Sequence, residues 1–226
     1  MKKKLLIIFT SISIVLPFSG PNSGMYFDEG FSIFERYIYQ SEDNSSTGLG
    51  LGFSYLFPQK EINNLDRPTL FQGGIIELNG LYTHADSDDL IMNLLSVGLN
   101  SYMGNNIKFG LRYETLIDFD GDLLDFYNNL GYDLGVSSNS NILSVGFYEN
   151  DVFPFLVFFD LMVLNYSLEQ EISLDGNILS ETKEDGSTNF LSIGIGYKSG
   201  NLAVQNALSI NNDKEKRYSI NVLYKL

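Results

Sequence analysis

Apolar residues fall on every second position over most of this chain, in segments of about 9 to 14 residues closed by Asn, Gly, Asp or Ser. Two is the period of a β-strand, whose side chains alternate between two faces, and not the period of a helix. The clearest segment places Ile107, Phe109, Leu111, Tyr113, Thr115, Ile117 and Phe119 on one face and Lys108, Gly110, Arg112, Glu114, Leu116 and Asp118 on the other. Another sets Leu49, Leu51, Phe53, Tyr55 and Phe57 over Gly48, Gly50, Gly52 and Ser54, small residues that suit a strand bending around a narrow interior. Further apolar faces begin at Ile76, Leu95, Leu130, Leu143, Leu191 and Leu202. Residues 31–40, the run after Pro154 and residues 218–226 complete about eleven candidate strands.

Short turns are predicted at residues 104–106 and 199–201, and longer polar connections at 58–69 and 175–187. Tight turns alternating with longer loops are how an up-and-down barrel distributes its two ends. The pattern therefore predicts an all-β fold, an antiparallel up-and-down transmembrane β-barrel of about 10 to 12 strands, since bacterial barrels carry an even number. The count is open at residues 31–40 and at residues 155–173, which run too long for one strand.

Alternation alone also fits a soluble secreted β-sheet protein, because it does not say which face meets solvent. Phe and Tyr abound, many near strand ends, as in the aromatic girdles of membrane barrels, although Trp is absent. Lys108 and Arg112 would cost roughly 2 to 4 kcal/mol each if turned to lipid at mid-membrane, so in a bilayer their face must be the lumen. Glu77, Lys108, Arg112, Glu114, Asp118 and Asp133 form the resulting candidate lumen set.

The N-terminus sharpens the location. Met1 and three lysines lead into Leu5, Leu6, Ile7, Ile8 and Phe9, with Pro17 closing the apolar stretch, the layout of a secretory signal peptide. Cleavage is expected within residues 18–24, leaving residues 25–226 as one barrel domain. No cysteine is present, which excludes disulfides and lipid attachment through cysteine. A formal charge of -14 disfavours binding to nucleic-acid phosphates.

Tyr218, Ile220, Val222, Tyr224 and Leu226 alternate with Ser219, Asn221, Leu223 and Lys225 up to the last residue. This segment resembles the C-terminal assembly signal of bacterial outer-membrane β-barrel proteins, with Tyr224 at the penultimate aromatic position and Leu226 in place of the terminal aromatic. The resemblance implies an outer-membrane location, insertion by the barrel assembly machinery, and contact with outer-membrane lipid and lipopolysaccharide.

The search for chemistry yields little. The lone histidine, His84, lies in a polar stretch beside Asp86 and Ser87, at no spacing that builds a nucleophile and base. The carboxylates at Asp118, Asp120, Asp122 and Asp125 bracket Gly121, but they lack the glycine position and terminal Glu of a calcium loop, and Asp-Gly reads as a turn. No catalytic residue, metal site or cofactor is expected. The sequence points first to a structural or surface-interaction barrel with acidic extracellular loops, and second to a narrow passive pore with a charged lumen.

Overall fold

The structure is a computed structural model that describes residues 30–41, 46–57, 75–87, 90–103, 107–149 and 155–226. The predicted leader and the connections at 58–69 and 104–106 lie outside the described residues. Ten antiparallel strands follow one another: β1 (Gly30–Ser41), β2 (Ser46–Leu56), β3 (Ile75–Ser87), β4 (Leu90–Met103), β5 (Ile107–Asp120), β6 (Asp133–Glu149), β7 (Phe155–Leu174), β8 (Asn177–Ser199), β9 (Leu202–Asn211) and β10 (Lys216–Lys225). Each pairs with its sequence neighbours, and β1 pairs with β10 from Ser32↔Lys225 to Ser41↔Lys216, which closes the barrel. Among the described residues one helix, α1 (Asp122–Asn129), lies between β5 and β6.

Neither segment at which the count was open is the surplus strand. Residues 31–40 lie in β1, and residues 155–173 lie in the single long strand β7. The surplus comes from β6, which contains Leu134 and Val136 of the face read from Leu130 and all of the one beginning at Leu143, while Leu130 and Tyr132 precede the strand. Its apolar residues change face between these segments: Leu134 points inward, whereas Leu143, Val145 and Phe147 point outward. Residues 137–141, between the two faces, are strand throughout. The connection expected at 175–187 is also strand. An Asp175–Gly176 turn, with positive φ at both residues, joins β7 directly to β8 as a two-residue hairpin.

The distribution of polarity distinguishes the two readings of the alternation. Inside the barrel Arg36, Glu77, Asn79, Lys108, Asp160 and Gln205 are buried, while Leu51, Val97, Leu111, Val145, Leu161 and Ile193 are exposed on its outer wall. In water such an outside would be a large apolar patch, contrary to what soluble monomers show. In hydrocarbon it is the required surface, and the closed ladder leaves no backbone edge unpaired at that depth. The fold is an up-and-down transmembrane β-barrel.

The interior is packed. Toward the chain termini Phe34, Leu81, Tyr102, Tyr148, Leu156 and Phe158 form one apolar cluster; at the other end Met92, Leu94, Ile142, Met162, Leu164 and Phe190 form a second. Glycines make the room that the sequence pattern suggested. The Phe34 ring lies over Gly52 and the Phe158 ring over Gly194. A methyl group at Gly194 would collide with that ring and with the Asn206 carbonyl, so Gly194→Ala is expected to destabilise the barrel by about 1–3 kcal/mol in urea titrations. Gly135→Ala, whose added carbon meets nothing nearer than 3.8 Å, serves as the unaffected control.

Candidate functional site

Two regions could carry a function, the buried polar network between the apolar clusters and the sheet that rises beyond the barrel wall. The network is assembled from inward positions of neighbouring strands. The Glu77 carboxylate on β3 accepts hydrogen bonds from Ser54 Oγ on β2 (2.5 Å), from Asn100 Nδ2 on β4 (2.8 Å) and from the Tyr102 hydroxyl. Arg112 on β5 donates from Nη2 to Asn79 Oδ1 (2.8 Å) and from Nη1 to Ser96 Oγ (3.4 Å). Lys108 is paired with Asp160 across β6 at 3.1 Å, and its ammonium lies over the Tyr148 ring. Arg36 Nε donates to Asn221 Oδ1 (2.6 Å), and Asn221 in turn donates to Gln205 Oε1 (2.9 Å). Arg217 stacks over Phe190, which couples the network to the upper apolar cluster.

This arrangement sets opposite charges against one another in place. Arg36, Lys108, Arg112 and Arg217 face Glu77, Glu114 and Asp160 within one buried interior. Glu77, Asn79, Asp160, Ser192 and Gln205 have no surface in contact with solvent. An open aqueous path would wet the side chains that line it. Mixed charges in a narrow barrel instead pair across it and fill it.

Helix α1 lies at the end of the barrel opposite the termini, beside β5 and β6. Asp120 Oδ1 accepts the Gly121 amide (2.7 Å), and Asp122 and Asp125 in the first turn complement the positive end of the helix dipole. Gly131, at φ 80, ends the helix, with its amide bonded to the Asn128 carbonyl. Leu123 and Tyr127 then pack onto the upper apolar cluster. The aspartate run thus contributes to a helix start as well as a turn; among the described residues no group of His, Cys, Asp or Glu could hold a metal ion.

The second region is the upper part of β6, β7 and β8. A membrane-spanning strand needs about 9–11 residues, whereas β7 has 20 and β8 has 23. On β7 the outward apolar row ends at Val163, and Asn165, Ser167, Glu169 and Glu171 follow; on β8 it begins at Leu191, after Glu181, Lys183, Asp185, Ser187 and Asn189. Above the apolar band the polarity therefore reverses, with Leu134, Leu164 and Leu168 inside and charged residues outside. On β6 and β7 the sheet there is built as in a water-soluble protein, and β8 is polar on both faces over residues 180–188. Glu169 accepts a hydrogen bond from Lys183 Nζ (2.5 Å), which holds the lysine above its ordinary pKa, and burial together with Glu184 raises that of Tyr166.

One edge of this projecting sheet is open. β9 pairs with β8 only up to Phe190↔Asn211. The Asn189 amide and carbonyl, which face that side, are met by the Asn212 side chain and backbone. By strand alternation the amides and carbonyls of Glu181, Lys183, Asp185 and Ser187 face the same side, and among the described residues no strand pairs with them there.

Of the six lumen candidates, Glu77, Lys108, Arg112 and Glu114 lie buried inside. Asp118 and Asp133 do not belong with them; both are exposed. Between β4 and β5 the register shifts, Asn93 pairing with Asp118 but Leu94 with Leu116, so Ile117 is an extra residue and the later side chains change face. Phe119 turns inward and Asp118 outward. Asp133 lies on the projecting part of β6, where the apolar Leu134 takes the inward position. Arg36, Asp160 and Arg217, missed in the sequence, complete the network; Arg36 was legible as the polar member between Phe34 and Ile38. His84 is exposed, with Nδ1 2.9 Å from Asn93 Oδ1. Tyr218, Val222, Tyr224 and Leu226 are exposed on the outer wall or rim, and Ile220 is half-buried.

No family model and no curated protein matches this chain. Many solved structures match it at low identity. The β domain of the Bordetella autotransporter BrkA is 14% identical, with a TM-score of 0.46 over 88% of this chain and 98% of that one. Neisserial surface protein A is 12% identical, with a TM-score of 0.39 over 87% and 96%. The Pseudomonas aeruginosa OprF N-terminal barrel is 9% identical, with a TM-score of 0.39 over 88% and 99%.

Proposed function

We propose that this protein is an outer-membrane barrel with a surface-interaction role, in which the transmembrane wall is a sealed anchor and the projecting β6–β8 sheet is the working surface. The observation that carries this reading is the division of polarity along β7 and β8: apolar outside over the membrane band, acidic outside beyond it. A strand extended by about ten residues past the bilayer serves no purpose in spanning it. An open sheet edge bearing Glu181, Lys183 and Asp185 offers backbone partners to an added strand, and the acidic outer side chains favour cationic or cation-bridged partners such as lipopolysaccharide. Insertion by the barrel assembly machinery, through the outward face of β10, accompanies this reading. No catalytic role is assigned.

The interior argues against the alternative, a passive pore, because Lys108 and Asp160 pair across it and apolar side chains fill it toward both ends. Planar-bilayer recording of refolded protein separates the two. The surface-interaction reading expects silence, and also expects that replacing residues 166–187 by a short turn leaves a heat-modifiable barrel. Steady conductance lost on Arg112→Ala would instead establish the pore.

A further inference from the structure

The open edge of β8 carries a bonding pattern that selects its partner. Level with the end of β9, the Asn189 amide donates to Asn212 Oδ1 (3.2 Å) and the Asn189 carbonyl accepts from the Asn212 amide (3.2 Å). One residue of the β9–β10 turn thus stands in for a ladder position. Farther up, the amides and carbonyls of Glu181, Lys183, Asp185 and Ser187 recur at every second residue along the same side, with no strand beside them among the described residues. Another extended backbone matches donors and acceptors at that spacing, whereas a lipid or a sugar does not.

The side chains add a charge pattern. On the outer face Lys183 is paired with Glu169, but Glu181 lies directly opposite Glu171, and Asp185 lies opposite Ser167. Among the described residues no ion pair reaches Glu171, Glu181 or Asp185. Carboxylates set opposite each other across two strands repel, and a cation on a third strand beside Glu181 would relieve them.

We propose that this edge takes up an extended polypeptide as a strand antiparallel to β8, with basic side chains four residues apart set opposite Glu181 and Asp185. The proposal rests on the projecting sheet being the working surface. Antiparallel pairing lets each edge residue exchange both backbone bonds with the residue opposite, as β9 does lower on the same side. A second copy in the same membrane does not fit. Its symmetry axis lies along the membrane normal, so the two β8 edges would run in the same direction with Glu181 level with Glu181 and Asp185 with Asp185. That arrangement forbids an antiparallel ladder and brings like charges together.

The probe is a dye-labelled nine-residue peptide of threonine and valine with arginine at its fourth and eighth positions. It is added to the refolded barrel in neutral detergent micelles and followed by fluorescence anisotropy. Saturable binding is expected. Methylating the peptide amides that face β8 should weaken it about tenfold or more, because the ladder is lost while the charge is kept; this arm needs no variant of the barrel. Lys183→Pro tests the same contact from the other side. The Lys183 amide faces the open edge, so proline breaks no bond to β7 and leaves the sheet more acidic, yet its ring blocks an added strand. With heat-dependent gel mobility confirming its fold, this variant should also bind about tenfold more weakly. Charge attraction alone would give equal or tighter binding to Lys183→Pro and unchanged binding of the methylated peptide. Either result overturns the proposal, as does no binding at millimolar peptide. Self-association of the barrel that the peptide competes away would give the edge to a second copy and overturn it as well. None of these outcomes removes the surface-interaction reading, which falls instead to steady conductance in the bilayer recording.

Discussion

Asp160→Leu is expected to lower the stability of the refolded barrel by about 3–5 kcal/mol, measured as the shift in urea unfolding in lipid vesicles. The size follows from burial. Lys108 and Asp160 are both nearly or wholly removed from solvent and lie 3.1 Å apart, so deleting the carboxylate strands an ammonium in a buried interior. The Tyr148 ring beneath Lys108 offsets only part of that cost, since a cation–π contact is worth roughly 0.5–2 kcal/mol. The double variant Lys108→Met with Asp160→Leu removes both charges at similar volume and is expected to recover most of the loss. If the double variant were as unstable as the single one, the network around the pair, rather than the stranded charge, would be the source of the effect.

The second large effect is on the outer wall. Leu111 faces outward in the middle of the apolar band, between Leu99 on β4 and Leu143 on β6. Leu111→Arg should cost about 2–4 kcal/mol in a bilayer, the depth-dependent penalty for a guanidinium turned to hydrocarbon. Ser187→Arg, equally outward but on the projecting part of β8, should change stability by no more than about 0.5 kcal/mol, because water surrounds it. Equal, small effects at both positions would mean that the wall is not in lipid.

Asp160→Leu and Leu111→Arg probe opposite faces of the barrel wall, and they show where reading the chain in one dimension succeeds. The alternation over residues 107–115 places Lys108, Arg112 and Glu114 together on one face, and the structure buries all three. Glu77 follows from the same rule on β3. The rule fails at Asp118 because a register shift inserts one residue, and one residue is enough to exchange the faces of everything beyond it. It fails at Asp133 for a different reason. There the strand has left the membrane, so the apolar side must turn inward to avoid water, where a few residues later it turns outward to meet lipid.

That exchange of environment also accounts for the surplus strand. A strand whose apolar face switches halfway, as β6 does around Ser138 and Ser140, has the local appearance of two strands with a turn between them. The polar upper half of β8 looks like a loop for the same reason: water on the outer face and at the open edge leaves no apolar row to mark it, although Asp175–Gly176 carries a hairpin signal.

The sequence by itself therefore determined the all-β class, the two-faced strands, the acidic and cysteine-free character and much of the charged interior, because these follow from local periodicity and composition. Only the tertiary structure decided the number of strands, the partners of each buried charge, the helix at one end of the barrel and the height at which polarity reverses. These depend on what lies beside each strand and outside it, and alternation records that a residue has two sides without recording which side is water, lipid or another strand.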